Sequence, residues 1–549
     1  MLKIKNIFLV FILLLGFLVR FWGIDKSPAT VNFDEASLGY NAYSIMKTGM
    51  DEYGFKFPLS LKSFGDYKPA LYAYVSIPFI SIFGLNSMSL RLASMIAGVL
   101  LAYFSYLILK FFVKDEKFCL LALLLFLFQP WAVHFSRVAL ETNLSAMFFT
   151  IGIYFYLKNL RIKNNFNFFV YLTSFVLSML SYHSARVAVP LFIILMQFDP
   201  INLLLLGKKY KFKIDKKNVI AFIVALGILA IIFMDSNKDS VLARYNIENV
   251  FKKYHPYTPG EVLDKPLALW SNNPLYYLTG MLSGRLMAYF SPINWSGRLF
   301  HFNMNSVQYT AGFSMLGWIE AFFLVFGLIF IVKYITKEKN RHLVYWIIAS
   351  LAAAAATWTW YHPLRCLNMM GAIQIIVAIG LYNLTKKWNI IGKTIMIVLF
   401  VWQGIFIVNN ELGYSYFENH GNFQPGGFKQ AVEVINKVYD DYDEIIIDSP
   451  HSQAYSFILY YFQVDPSLLQ AKGKERLKAD SRGNWNVDFG KFKFRKIDWY
   501  GGDRDLKNVV LWMPPTIPVE DIKNQKNATL YELETAINLY KSAFIVTLD

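Results

Sequence analysis

Two adjacent carboxylates, Asp34 and Glu35, follow the first long apolar run, in the stretch Val31-Asn32-Phe33-Asp34-Glu35-Ala36. A carboxylate where lipid meets water can take a proton from a hydroxyl, which is general-base chemistry. Asp34 also precedes a helical stretch and can serve as its N-cap. Local spacing leaves both readings open. Lys68, in Gly65-Asp66-Tyr67-Lys68-Pro69, opens a short apolar segment. There its ammonium can reach a lipid phosphate or act as an interfacial anchor. Arg137, in His134-Phe135-Ser136-Arg137, stands four residues before Glu141. The two can pair along a helix or face a common cavity. Arg186, in Tyr182-His183-Ser184-Ala185-Arg186, either caps a short loop or reaches phosphate. Arg365, in Tyr361-His362-Pro363-Leu364-Arg365, lies close to an apolar span, where an unpartnered cation is costly, and this favours a phosphate ligand over an anchor. These residue types suit transfer of a sugar from a phospholipid carrier. That reaction needs a base, cations that neutralise the departing phosphate, and a cavity open to the bilayer.

The order of the motifs resembles bacterial family 39 glycosyltransferases, the group of protein O-mannosyltransferases and the lipid A aminoarabinose transferase. The matching stretches are Phe33-Asp34-Glu35-Ala36 with Gly39-Tyr40, Gly65-Asp66-Tyr67-Lys68-Pro69 with Leu71-Tyr72, and Phe83-Gly84 with Ser89-Leu90-Arg91-Leu92. Further on come His134-Phe135-Ser136-Arg137 with Glu141, Thr310-Ala311-Gly312-Phe313 with Glu320, and His362-Pro363-Leu364-Arg365. The resemblance covers nearly all of residues 1–409. It implies a GT-C fold and a polyprenyl-phosphate sugar donor attacked with inversion. It places the base at Asp34 with Glu35 beside it, and donor phosphate at Lys68 and Arg365. Arg137 is expected to join the phosphate ligands, with Asp66, Tyr67, Arg91, Glu141, Arg186 and His362 in support. The lipid A enzyme has an acid immediately before the lysine, where this chain has Tyr67, so a metal site built on that acid is unsupported. The histidines show no metal-ligand spacing either.

The elements that would position these residues follow from hydropathy and charge. Of 549 residues 55% are hydrophobic and 17% charged, and the apolar residues gather in runs long enough to cross a ~30 Å hydrocarbon core. Eleven spans are expected, near 6–22, 88–113, 118–134, 140–158, 167–182, 187–206, 218–234, 311–333, 342–360, 366–385 and 392–409. Basic clusters occupy alternate loops: Lys3/Lys5, Lys110/Lys114/Lys117, Lys158/Arg161/Lys163, Lys208 to Lys217, Lys333 to Arg341, and Lys386/Lys387/Lys393. By the positive-inside rule these loops and the N-terminus are cytoplasmic. The candidate residues and the tail then lie outside. The first external loop, 23–87, is expected to hold an interfacial helix over 36–48 and a juxtamembrane helix over 69–83. A second large external loop spans 235–310.

Two domains are expected: a membrane-embedded catalytic part, 1–409, and a small extracytoplasmic α/β part, 410–549. In the latter, 428–438 and 454–463 read as helices, and 444–448 and 508–512 as buried strands, with further strands near Leu530 and Phe544. Residues 410–549 carry 16 basic and 20 acidic side chains, so the net +16 is concentrated in the membrane part and does not suggest nucleic acid. Cys119 and Cys366 lie in apolar runs and give no disulfide framework. The expected partners are a polyprenyl-phosphate-linked sugar, membrane lipid, and an acceptor on protein, lipid or envelope glycan. The rivals are a ligase or polymerase of lipid-linked glycans, a lipid-linked-sugar transporter, and an inactive sugar-binding sensor.

Overall fold

A segment inside a bilayer must close its backbone hydrogen bonds within itself, so apolar runs of this length fold as helices. The computed structural model describes residues 2–28, 31–64, 66–207, 212, 214–234, 274–290, 315–357, 362–414, 426–448, 453–473, 487–534 and 541–549. The expected loop 235–310 is described only over 274–290, and Thr310-Ala311-Gly312-Phe313 lies outside the described residues.

The membrane part runs α1 (Leu2–Phe21), α2 (Phe33–Thr48), β1 (Ser60–Ser63), β2 (Asp66–Pro69), α3 (Leu71–Phe83), α4 (Ser87–Leu109), α5 (Glu116–Leu127), α6 (Pro130–Ser136), α7 (Glu141–Arg161), α8 (Asn165–Ser181), α9 (Ala185–Phe198), α10 (Pro200–Leu206) and α11 (Lys216–Met234). It continues with α12 (Pro274–Phe290), α13 (Trp318–Lys333), α14 (Glu338–Ala355), a 3₁₀ turn (Pro363–Met369), α15 (Met370–Thr385) and α16 (Ile390–Asn409). Each of the eleven expected spans is helical over its described core. Among the described residues five helices are long and apolar enough to cross a membrane by themselves, and six if the bent pair α5–α6 counts as one. Helix α7 falls short on hydropathy because it buries Thr142, Asn143, Ser145, Thr150 and Asn159 against its neighbours rather than facing lipid. Ser145 and Ser178 show why: their hydroxyls bond each other and each other's carbonyls across α7 and α8.

The tail comprises α17 (Gly426–Val438), β3 (Glu444–Ile447), α18 (Ala454–Phe462), α19 (Pro466–Gln470), β4 (Phe492–Phe494), β5 (Val509–Met513), α20 (Val519–Lys523), β6 (Ala528–Glu534) and β7 (Lys541–Leu548). Its five strands lie in the order β4-β3-β5-β7-β6, with β3 parallel to β4 and β5, and β7 antiparallel to β5 and β6. The runs Ile445-Ile446-Ile447 and Val509 to Met513 are apolar throughout because both sheet faces are covered. Ile445, Ile447, Val510 and Trp512 meet Phe428 and Phe457 on one face, whereas Ile446, Val509, Leu511 and Met513 pack with Ile522 and Val546 on the other.

Helix α2 departs from the expected interfacial helix. Ten of its residues are buried, from Glu35 to Ala42 together with Ser44 and Ile45, and they encircle the helix rather than lining one side. The tail covers the face that would otherwise meet water. The Tyr40 hydroxyl donates to the Val464 carbonyl (3.0 Å), and the Gln470 amide donates to Ser44 Oγ (3.1 Å), Thr48 Oγ1 (2.9 Å) and the Asp51 carbonyl (3.1 Å). Gly39 is where the two meet most closely: a Cβ there would stand 2.6 Å from the Tyr460 ring and 3.0 Å from Leu90.

Candidate active site

The start of α2 is set by a capping box. Asn32 Oδ1 accepts from the Glu35 amide (2.9 Å), and Glu35 Oε2 accepts from the Asn32 amide (3.0 Å), satisfying two donors that the first helical turn leaves open. Asn32 is therefore the N-cap, and Asp34 lies inside the first turn with its carboxylate not used for capping. Of the two readings of Asp34, the capping one is removed.

Asp34 Oδ1 lies 2.7 Å from Lys68 Nζ, a charge-assisted contact between side chains 34% and 11% exposed. Lys68 comes from β2 of a small hairpin, where β1 and β2 pair with Leu61 opposite Lys68 and Ser63 opposite Asp66. Along β2, Asp66 and Lys68 point to the more open face, while Tyr67 and Pro69 are buried. Asp66 and Lys68 are thus presented together, and Tyr67 anchors the strand from behind. The Lys68 ammonium also donates to Ser63 Oγ (3.1 Å) and lies 5.0 Å from the centre of the Phe64 ring. Ser63 Oγ in turn meets Ser37 Oγ at 3.1 Å, one turn beyond Asp34 on α2.

A second chain of contacts holds β2 from the other side. The Tyr67 carbonyl can only accept, so the 2.9 Å contact from His183 Nε2 requires a proton on that nitrogen. His183 Nδ1 then accepts from Arg186 NH1 (3.0 Å). The neighbouring Ser184 Oγ accepts from Asn368 Nδ2 (3.2 Å), whose carbonyl accepts from Trp346 Nε1 (2.7 Å). Asn368 belongs to the 3₁₀ turn that carries Arg365, and this network links that turn to the strand that carries Lys68. His362 precedes the same turn, with its amide donating to the Tyr289 hydroxyl (3.1 Å).

Glu35 and Arg137 do not have the surroundings expected of them. Glu35, 1% exposed, receives Arg91 Nε (2.9 Å) and Arg91 NH2 (3.0 Å) in a two-pronged pair, together with the Ala139 amide (2.7 Å). Arg91 NH1 donates to the carbonyls of Ile24 and Pro28, both at 2.8 Å. A carboxylate so fully engaged joins α2, α4 and the turn before α7, and it supports the site by holding it rather than by taking a proton. Arg137 is buried, and its terminal nitrogens donate to the carbonyls of Val19, Arg20, Trp22, Gly23 and Ser27. It clasps the end of α1 and is not held open for a phosphate. The α6–α7 break separates it from Glu141, which is buried as the first residue of α7, so the four-residue spacing is not a helical one.

His183, Ser37 and Ser63 escaped the sequence reading. His183 stood beside Arg186 in a motif already singled out, and Ser37 follows Asp34 at helical spacing. For Ser63 the chain carries no signal before the hairpin register is known. Tyr460 and Tyr461 of the tail also lie near Arg91, but burial lifts both hydroxyls far above the usual phenol range, so neither serves as a proton acceptor at neutral pH. Among the described residues no group of three or more His, Cys, Asp or Glu side chains is arranged to hold a metal ion.

Residues 10–231 match the model of the family described as dolichyl-phosphate-mannose-protein mannosyltransferase. The structure is similar to that of ArnT from Cupriavidus metallidurans bound to undecaprenyl phosphate, with a TM-score of 0.53 and 11% identity over 98% of this chain and 97% of that one. It is also similar to the Archaeoglobus fulgidus oligosaccharyltransferase in complex with Zn and sulfate, with a TM-score of 0.50 and 13% identity over 83% of this chain and 61% of that one. No match is found among the curated proteins. The chain has the GT-C glycosyltransferase fold with a C-terminal sheet domain.

Proposed function

We propose that this GT-C membrane protein is an inverting glycosyltransferase that moves a sugar from a polyprenyl-phosphate carrier to an acceptor hydroxyl at the outer face of the cytoplasmic membrane. The observation that carries the reading is the Asp34–Lys68 contact of 2.7 Å, which sets a carboxylate not used for capping beside a cation on the open face of a hairpin. The similarity to a structure bound to undecaprenyl phosphate supports a lipid phosphate donor, and the matched family's description supports a sugar transferred from such a carrier.

In this mechanism the acceptor oxygen attacks the anomeric carbon from the face opposite the phosphate. Its proton passes to Asp34. The bond from the anomeric carbon to the phosphate oxygen breaks, and polyprenyl phosphate leaves with the bonding electrons. Lys68 and Arg365 neutralise the charge that builds on that phosphate, with Asp66 beside Lys68 on the same face. An arriving phosphate competes with Asp34 for Lys68, so donor binding loosens the ion pair as it brings in the substrate. Glu35, Arg91, His183 and Arg186 hold the geometry.

The test is release of free polyprenyl phosphate from a lipid-linked sugar by the purified full chain. A transporter or a sugar sensor releases none. Lys68→Ala and Arg365→Ala are each expected to lower kcat/KM about ten- to a hundred-fold, as loss of a charge-assisted contact of roughly 1.5–3 kcal/mol implies. Unchanged kinetics in both variants would remove the phosphate roles.

A further inference from the structure

A cavity of about 610 Å³ lies at the end of the helical bundle away from Asp34 and Lys68. Helix α7 fixes the separation. Glu141 opens it beside the turn that binds Glu35, and Arg161 closes it at the cavity, a span of about 30 Å at 1.5 Å per residue. The cavity is therefore a bilayer's thickness from the candidate active site, and nothing in the reaction above uses it.

Its lining divides by chemistry. Phe111, Phe112, Leu157 and Leu160 form an apolar wall. Arg161, Lys163, Lys216 and Lys339 bring four cations to the same space. The charges that act on the Lys339 ammonium are those of Lys337, Arg161 and Lys114, all cationic. The lining also holds two carboxylates, Asp215 and Glu338, so its four cations outnumber its anions; Asp215 Oδ1 accepts from the Lys217 amide (2.9 Å), and Glu338 Oε1 lies 3.5 Å from His342 Nε2. Two further features suit an anion. The lining includes the start of α14, a helix N-terminus with no side-chain cap, whose first-turn amides attract negative charge. His342 also lines the cavity, is nine-tenths buried, and among the described residues has no hydrogen-bond partner at its buried Nδ1.

We propose that this cavity binds the phosphate headgroup of an anionic bilayer phospholipid. Phosphate answers the excess of cations in the lining and the open helix end. A lipid rather than a soluble phosphate is favoured by the apolar wall and by the residues around the mouth. Ile214 in the lining and Ile162, between Arg161 and Lys163, are 61% and 60% exposed and give acyl chains a surface to lie on. Lys163 and Lys216, both exposed, stand where snorkelling side chains meet headgroups.

The experiment uses the full chain, delipidated in a neutral detergent, with phosphatidylglycerol, phosphatidylcholine or inorganic phosphate added back. Native mass spectrometry counts bound lipid, and thermal unfolding reports its effect. Phosphatidylglycerol is expected to remain bound and to raise the unfolding midpoint, and phosphatidylcholine and inorganic phosphate to do neither. The double variant Arg161→Gln/Lys339→Gln should weaken phosphatidylglycerol binding about ten-fold or more. Should that variant fail to fold, Lys163→Gln/Lys216→Gln changes only exposed side chains and should also weaken binding. Equal retention of the two lipids, an equal effect of inorganic phosphate, or wild-type binding by Lys163→Gln/Lys216→Gln would each overturn the proposal.

Discussion

Replacing Asp34 by Asn removes a proton acceptor and leaves the start of α2 intact, because the cap is Asn32. Asp34→Asn is expected to fold, with an unfolding midpoint lowered only slightly by loss of the part-exposed Lys68 pair, and to lose about 10²- to 10⁴-fold in turnover. A variant that folds and turns over like wild type would move the base elsewhere. Glu35 behaves in the opposite sense. Glu35→Gln leaves the buried Arg91 without its counter-charge, and breaking a buried pair costs roughly 3–5 kcal/mol, so the midpoint should fall sharply. Two neighbouring carboxylates thus give two different readouts from turnover and thermal unfolding of the same pair of variants. The sequence showed that both are acidic and near the membrane surface. It could not show which one turns inward, since that depends on Arg91 and on the Ala139 amide, about 56 and 104 residues away. The same limit applies to Arg137, whose five carbonyl partners are ordinary backbone and leave no pattern in side-chain chemistry.

At the scale of elements, α2 is legible as a helix and its surroundings are not. Its mixed polarity reads as one wet face and one dry face, yet the wet face is covered by the tail. Gly39 is the residue that permits this. A Cβ at position 39 meets the Tyr460 ring at 2.6 Å and Leu90 at 3.0 Å, so one side or the other must move. Gly39→Val should cost about 1–3 kcal/mol by overpacking and should loosen the tail from α2. Limited proteolysis is the check: release of the tail is expected to quicken in Gly39→Val, and an unchanged rate would mean that the contact does not hold the tail. The strands of the tail were legible because a short apolar run bounded by turns has few other outcomes. Their order β4-β3-β5-β7-β6 was not, since one run of Ile or Val pairs with another equally well.

Across the whole molecule the charge pattern makes the firmest claim. Alternating basic loops imply that the loop near Lys387 and the tail near Lys472 face opposite sides of the membrane. Both positions are exposed, and the native Cys119 and Cys366 are buried and should stay silent. In intact cells an impermeant thiol reagent should label Lys472→Cys and spare Lys387→Cys. Labelling of both or of the wrong one would overturn the orientation. The proposed lipid cavity and the candidate active site would then exchange leaflets together, because α7 ties them to opposite ends of one helix.

The Arg137 clasp has a consequence for how the chain is made. The ribosome delivers α1 first, and five carbonyls around its end, from Val19 to Ser27, accept from a guanidinium about 110 to 118 residues further along, although that of Gly23 also accepts from the Lys26 and Ser27 amides. Backbone groups in lipid need internal partners, so until α6 is inserted that end of α1 must be served by water or by the insertion machinery. The seat of the first helix to enter the membrane is therefore closed by an arginine that caps α6, the fifth helix after it.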